Sequence, residues 1–434
     1  MNRREFTKLA AASALLPSVS AQAANSKPHL LSSVGCGRAT GYAEANKIIT
    51  IGNRTHVAWL DSPPEGFRVR VATLNRKTEK WSRTYTIGDA YDNHGGPALT
   101  CDSEGYLHII YYTHHHPFRY RRSQRPNDAS EWEDEQLIGD KLTYPTLVCG
   151  ADNTLYLTAR RSDKNPWWVE MWKKPSGKEW QSVGPVMYSR HKGYSHFQES
   201  LSWGPDHKTL HLCCRFHELS DKSSYGRLQT VAYMKSDDFG RSWQRSDGTK
   251  IKTPITVDNI EVIAKGGVDF KQTLRAGCMA VSPEGVPRLV YSISAKNRSH
   301  AFLATLDEKG KWKRLNLNDQ LPKEWREFNL IMAGGLSFDS AGKLHGVAQL
   351  QTGPRVHKIW GDPSNEIVTF TKEGDRIRFR AISKFDAKAS HWLPSIERPT
   401  GHNLVPSNPG IIYTGGPAGG KNTELLSNKV YWNS

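Results

Sequence analysis

An all-β fold is predicted by three features of this 434-residue sequence. Short apolar segments follow turn-forming residues at intervals of about 50 residues. Glycine, proline and tryptophan are frequent, with 36, 23 and 14 copies, which is typical of many short strands joined by turns. No long helical periodicity interrupts the pattern. Because 37% of the residues are hydrophobic, the chain has enough apolar material for a packed core, which excludes a disordered protein.

A turn followed by a short strand recurs six times along the chain. The copies are Asn53–Trp59, Glu104–Ile110, Asn153–Leu157, Lys208–Leu212, Glu284–Val290 and Gly342–Gly346. A repeat of about 50 residues is typical of a β-propeller blade, and Asn408–Tyr413 can supply a further strand. The sequence therefore predicts a seven-bladed β-propeller with four-stranded antiparallel blades. We expect the last blade to combine C-terminal strands with residues near the N-terminus.

A second repeated unit supports this fold. Ser236–Trp243 matches the Asp-box pattern S-x-D-x-G-x-x-W. In such a turn the aspartate caps the hairpin, the glycine takes a positive φ and the tryptophan packs between sheets. We therefore interpret this motif as structural and not as catalytic.

The N-terminus has the pattern of an export signal. A pair of arginines, Arg3 and Arg4, precedes the apolar run Leu9–Leu16 and the small-residue cleavage pattern Ala21–Ala23. We expect residues 1–23 to be a twin-arginine-type signal peptide and residues 24–434 to form a single propeller domain. The mature protein is expected in the periplasm or outside the cell, without a transmembrane segment and as a monomer.

The chain is strongly basic, and this favours a polyanionic partner. Its formal net charge is +16, and residues 1–23 account for +2 of it, which leaves +14 on residues 24–434. Since no nucleic-acid-binding motif is present, an acidic polysaccharide is the favoured partner of an exported protein. The six cysteines permit disulfides, although the adjacent Cys213 and Cys214 do not favour a simple pairing. Buried thiols or metal ligands are open alternatives.

Alignment of the repeats predicts that polar side chains meet at one mouth of the central channel. The set is His94, His114, Tyr144, Arg160, His196, Arg215 and His217. Glycosidases normally use two carboxyl groups, and the aligned positions contain no such pair. Histidine, tyrosine and arginine instead suit proton abstraction beside a carboxylate. The arginine neutralises the carboxylate, a neutral imidazole or a phenolate is the base, and a second group protonates the leaving oxygen.

The sequence resembles the seven-bladed propeller ulvan lyases of polysaccharide lyase families 24 and 25, which carry Asp-box (BNR) repeats. The resemblance lies in four segments: DNHGGPAL at Asp92–Leu99, HHHPFRY at His114–Tyr120, TYPTL at Thr143–Leu147 and LYLTAR at Leu155–Arg160. It implies a lyase that cleaves ulvan, a sulfated rhamnose–uronate polymer, by β-elimination. In the family, two histidines about twenty residues apart precede a tyrosine and an arginine sixteen apart, and this chain has the same spacings.

The resemblance also implies roles for individual residues. His94 and Tyr144 correspond to the base and acid, with their order left open, Arg160 to the group that neutralises the carboxylate, and His114 to an assisting residue. We expect further substrate contacts from Asn93, His115 and Arg215. No catalytic cofactor is expected. The resemblance implies a structural zinc ion, for which His196, His217 and Cys278 are the favoured ligands, although no local ligand spacing supports them.

Two other functions fit the same scaffold. One is a glycoside hydrolase, such as a rhamnosidase, which releases reducing sugar without an unsaturated product. The other is a propeller that binds carbohydrate without turnover. Product analysis distinguishes these alternatives from the lyase.

Overall fold

The computed structural model describes residues 28–219, 227–266, 272–295, 298–352, 361–385, 388–417 and 427–434. These residues form 31 β-strands, and their helical content is two short 3-10 helices, Leu317–Gln320 and Lys323–Trp325. The all-β prediction is confirmed. The predicted signal peptide lies outside the described residues. Within them, no helix has the length and apolar character needed to cross a bilayer.

The strands follow one another with short connections, as a repeated strand-and-turn pattern dictates. The first group is β1 (His29–Gly35), β2 (Ile48–Ile51), β3 (Arg54–Asp61), β4 (Arg68–Asn75), β5 (Lys80–Trp81), β6 (Tyr85–Asp89), β7 (Ala98–Cys101), β8 (Leu107–Tyr111), β9 (His114–Arg122) and β10 (Gln136–Cys149). The second group is β11 (Leu155–Arg161), β12 (Trp168–Lys174), β13 (Gln181–Tyr188), β14 (Ser195–Trp203), β15 (Leu210–Leu219), β16 (Arg227–Ser236), β17 (Trp243–Gln244), β18 (Lys250–Ile251), β19 (Glu261–Lys265) and β20 (Gln272–Ala276). The third group is β21 (Ala280–Val281), β22 (Pro287–Ala295), β23 (Arg298–Leu306), β24 (Trp312–Asn316), β25 (Asn329–Phe338), β26 (Leu344–Gln351), β27 (Asn365–Glu373), β28 (Arg376–Ala381), β29 (Ala389–Ile396), β30 (Ile411–Pro417) and β31 (Asn428–Asn433).

Neighbouring strands in the sequence pair antiparallel to form meanders. Examples are the sheets β20-β22-β23-β24 and β25-β26-β27-β28. The two ends of the chain meet in one sheet, because β1 pairs with β31 through His29 and Trp432. This pairing agrees with the expected contribution of the N-terminus to the last sheet.

The long strand β10 connects two meanders and sets the geometry of the site. Its first half pairs with β9 and its second half with β11. At the junction, Thr143 lies opposite His114 on one side and opposite Arg160 on the other. Tyr144 comes next, with a left-handed backbone at φ 61° that is uncommon for a residue with a side chain. This turn of the backbone lies where the main pairing partner of β10 changes from β9 to β11, within one seven-stranded sheet.

The Asp box has the structural role that its sequence predicts. The backbone N–H of Gly240 donates to Ser236 Oγ at 2.7 Å, and the N–H of Ser242 donates to Asp238 Oδ1 at 2.8 Å. Gly240 has φ +81°, and the ring of Trp243 is buried in an apolar cluster. All six cysteines are buried free thiols. Burial raises the pKa of Cys36 to about 12, so this thiol is protonated and inert at neutral pH.

Candidate active site

Two imidazoles, those of His94 and His114, share the carboxylate of Asp92. Asp92 Oδ2 accepts from His114 Nδ1 at 2.7 Å, and Asp92 Oδ1 accepts from His94 Nδ1 at 3.2 Å and from the His94 backbone N–H at 2.8 Å. The rings of His94 and His114 stack with centroids 4.1 Å apart. Burial alone raises the pKa of Asp92, but the hydrogen bonds from His114 and His94 outweigh it and hold that pKa well below its usual range. The ionised carboxylate therefore fixes Nδ1 of both rings as the donor.

The second nitrogen of His94 is a hydrogen-bond acceptor. Arg38 Nη1 donates to His94 Nε2 and, at 2.9 Å, to Asn93 Oδ1. Burial lowers the pKa of His94, and the positive charge of Arg38 lowers it further, while the hydrogen bond to Asp92 opposes the shift in part. The imidazole is therefore neutral at neutral pH and carries its lone pair on Nε2.

Tyr144 is the phenol of the site and is only 7% exposed. Its ring centroid lies 6.4 Å from that of His94 and 6.3 Å from that of His114. The ring of Tyr42 meets it edge-on at 5.1 Å. Burial raises the pKa of Tyr144 to about 12, although Arg160 pulls it in the opposite direction. At neutral pH this phenol is therefore protonated and can donate a proton.

The guanidinium of Arg160 packs against the ring of Tyr144. Its guanidinium carbon is 4.8 Å from the ring centroids of both Tyr144 and Trp167, a cation–π arrangement that fixes its plane. Nη2 donates to His115 Nε2 at 3.2 Å, and His115 Nδ1 donates to Ser162 Oγ at 2.8 Å. The buried Nε of Arg160 has no hydrogen-bond partner. This guanidinium is thus oriented by its neighbours, and the side chain is almost completely buried.

A second arginine contacts His196. Arg215 is buried, donates from Nε to Gln198 Oε1 at 2.9 Å and from Nη2 to His196 Nδ1 at 3.1 Å. The ring of His196 packs edge-on against Tyr144 at 4.7 Å. Burial lowers the pKa of His196 well below its usual value, and the Arg215 charge adds to this effect. Arg215 therefore contacts His196, and His196 in turn contacts Tyr144.

The residues predicted to hold zinc do not form a metal site. His196 and His217 lie opposite each other on β14 and β15, but the Cys278 thiol donates to Leu336 O at 3.7 Å. Across the described part of the chain, these three do not bring their ligand atoms within 4.8 Å of one another. The Arg215 charge beside His196 also opposes a cation. The set does not fit zinc, because its ligand atoms do not converge. Alignment of the repeats predicts which face of a sheet the residues share, but it does not predict whether their side chains converge.

The structure brings most of the predicted site together. His94, His114, Tyr144 and Arg160 form one cluster, His115 contacts Arg160, Asn93 contacts Arg38, and Arg215 contacts His196. The contacting residues that were missed include Arg38, Tyr42, Asp92 and Trp167. Asp92 stands two residues before His94, and this spacing is typical of a local turn contact. Arg38 and Tyr42 lie outside the repeats and have no equivalent positions.

The fold and site define a propeller-like all-β protein with a cluster of paired imidazoles, a phenol and guanidinium groups. The sequence profile described as "BNR repeat-containing family member" matches residues 54–320. The chain belongs to this BNR repeat-containing family.

Curated relatives at modest identity include two ulvan lyases. One, from Alteromonas sp. (strain LOR), is 26% identical over 223 residues, which cover 43% of this chain and 46% of the relative. The other, from Nonlabens ulvanivorans, is 24% identical over 265 residues, 50% of this chain and 54% of the relative. The chain thus matches about half the length of the curated relatives.

Solved structures with the same fold cover nearly the whole chain. A polysaccharide lyase of family PL25, an ulvan lyase bound to -[GlcA(1-4)Rha3S]-, superposes with a TM-score of 0.70 at 14% identity, covering 94% of this chain and 98% of the other. The polysaccharide lyase Uly1 superposes with a TM-score of 0.62 at 12% identity, covering 93% and 96%. These likenesses establish the fold.

Proposed function

We propose that this protein is a polysaccharide lyase that cleaves ulvan at its uronic acid by β-elimination. One observation carries the proposal: a neutral imidazole, backed by an ionised carboxylate, faces a protonated phenol whose ring carries a guanidinium. The ulvan lyases among the relatives support the choice of substrate. The net charge of +16 suits a sulfated, carboxylated polymer.

The residues divide the chemistry between them. Arg160, with His115 holding its plane, neutralises the uronate carboxylate, which acidifies the C5–H bond next to it. His94 Nε2 takes the C5 proton, and the electron pair forms the C4–C5 double bond. The C4–O bond breaks, and the Tyr144 hydroxyl gives its proton to the leaving glycosidic oxygen. The products are an unsaturated uronide and a new chain end.

This assignment orders the acid and the base. A phenol with a pKa of about 12 is a donor at neutral pH, whereas neutral His94 carries a lone pair on Nε2, to which Arg38 donates. His114 stacks on His94 and shares Asp92 with it, which fits an assisting role. We assign Asn93 and Arg215 to substrate binding through the groups they contact.

The fold details belong to the same proposal. We propose seven four-stranded antiparallel blades within one domain of residues 24–434. The regular meanders and the pairing of β1 with β31 support this division. Export through the signal at residues 1–23, and a monomeric mature protein, complete the proposal.

The test is incubation with ulvan, read by the ultraviolet absorbance of the unsaturated uronide and by mass spectrometry of the products. We expect wild type to generate the unsaturated product, and His94→Ala and Tyr144→Phe to lose it. The matched control is His116→Ala, because His116 packs against Tyr91 and Tyr112 outside the cluster. Reducing sugar without ultraviolet absorbance indicates a hydrolase instead. Binding without any product indicates a carbohydrate-binding propeller.

A further inference from the structure

The segment between β1 and β2 contains Arg38, which contacts His94. Hydrogen bonds anchor the backbone of this segment. Trp392 Nε1 donates to Gly37 O at 2.8 Å, and Leu60 N–H donates to Ala39 O at 3.0 Å. Thr40 Oγ1 donates to Leu393 O at 2.6 Å. Residues on both sides of Arg38 are therefore tied to β3 and to β29, so the start of its side chain is fixed.

The guanidinium of Arg38 lies against the atom that the proposed mechanism needs. It donates to His94 Nε2 and to Asn93 Oδ1, and its central carbon is 5.9 Å from the centroid of the Tyr42 ring. Both acceptors are neutral groups. The side chain is half-buried, whereas Arg160, which packs against Tyr144, is only 1% exposed.

We infer that Arg38 is a second carboxylate-binding residue, whose guanidinium leaves His94 Nε2 for the uronate carboxylate and thereby frees the base. This inference rests on the proposed lyase function. The C5 proton and the carboxylate are attached to the same carbon, so a group that contacts the base is also within reach of that carboxylate. A uronate carboxylate attracts the guanidinium through its full negative charge, which neither the neutral imidazole nor the amide oxygen carries. The exchange is therefore favoured only when the substrate is in place.

The arrangement gives the two arginines different positions. Arg38 contacts the proposed base, His94, and Arg160 contacts the proposed acid, Tyr144. Before substrate binds, burial lowers the pKa of His94 and the charge of Arg38 lowers it further, so the imidazole is neutral. After the exchange, the lone pair of Nε2 is exposed beside the C5–H bond.

The test compares Arg38→Gln with Arg38→Lys in the full-length chain, using kcat/KM for ulvan as a function of pH. The control Arg378→Gln removes the same charge from an exposed side chain that pairs with Glu373. Arg378 lies on β28, in a different sheet from β9, β10 and β11. We expect Arg38→Gln to lose about 10²–10³ in kcat/KM, as for other lost charge-stabilising donors. The acidic limb of its profile should move to higher pH, because the neighbouring charge no longer lowers the pKa of His94. Arg38→Lys should retain the limb near its wild-type position with an intermediate rate.

Wild-type kcat/KM with an unmoved acidic limb in Arg38→Gln overturns the inference while the lyase function stands. If Arg38→Gln does not fold, Arg38→Lys decides: an intermediate kcat/KM supports the inference and a wild-type value overturns it. If wild type yields no unsaturated product from any uronate polymer, the proposed function itself fails. A purely structural role for Arg38 would lower the yield of folded protein without moving the acidic limb.

Discussion

Replacing Asp92 by asparagine tests whether the shared carboxylate sets the base. An amide has one acceptor oxygen, so it cannot accept from Nδ1 of both His94 and His114 as Asp92 does at 3.2 and 2.7 Å. Its NH₂ group also faces a ring N–H, which favours the tautomer with the proton on Nε2. The variant should therefore fold but hold His94 with its lone pair in the wrong direction.

The size of the effect follows from the lost hydrogen bonds. Each hydrogen bond to a charged group contributes about 1.5–3 kcal/mol, and about 1.4 kcal/mol corresponds to tenfold in rate. Loss of one to two such bonds thus predicts a fall of about 10–10⁴ in kcat/KM. Initial rates on ulvan, read by ultraviolet absorbance, measure it, and circular dichroism monitors folding.

The matched control is Asp89→Asn, since Asp89 is an exposed partner of Arg68 outside the cluster. Its rate should equal that of wild type. A wild-type rate in Asp92→Asn would refute the reasoning, because it would mean that neither tautomer nor ring orientation depends on this carboxylate.

Three further predictions follow from particular contacts. Arg160→Ala should lower kcat/KM on ulvan by about 10²–10³, whereas the neighbouring Arg161→Ala, whose partners are Asp163 and Glu170, should not; equal rates in all three proteins would remove Arg160 from the mechanism. Because the folded-state pKa of Asp92 is depressed, its stabilisation is present above about pH 4 and is lost as the pH falls. The difference in unfolding free energy between wild type and Asp92→Asn, measured in urea, should therefore shrink on acidification, and a constant difference would contradict this. Gly335→Ala should lower the unfolding free energy by at least about 1–3 kcal/mol, because its Cβ would lie 1.9 Å from Cys278 Sγ; an unchanged urea midpoint would show that the strands separate easily.

Much of the site could be predicted because it follows the repeat. His94 lies in the turn before β7, His114 begins β9, Tyr144 lies within β10, and Arg160 lies near the end of β11. Antiparallel pairing of β9, β10 and β11 brings the last three onto neighbouring strands. The register at Thr143, with His114 on one side and Arg160 on the other, is a consequence of that pairing. Local pattern therefore carries this information.

Alignment of the repeats did not predict the positions of the proposed zinc ligands relative to one another. His196 and His217 do share a register position, as alignment predicts. Cys278 lies between β20 and β21, which belong to another sheet, and its thiol contacts Leu336 O. Ligand convergence depends on distances between sheets, which a strand pattern does not contain.

The sequence by itself determined the all-β class and the basic charge that suits an acidic polymer. It also predicted which imidazoles, phenol and guanidinium come together in the candidate site. Only the tertiary structure decided that Arg38 contacts His94, 56 residues away, and that Tyr42 meets Tyr144. The physical reason is that strand pairing is specified by local alternation along the chain. The path of a non-repeating segment is instead set by long-range anchors such as the bond from Trp392 to Gly37, which form only when the fold is complete.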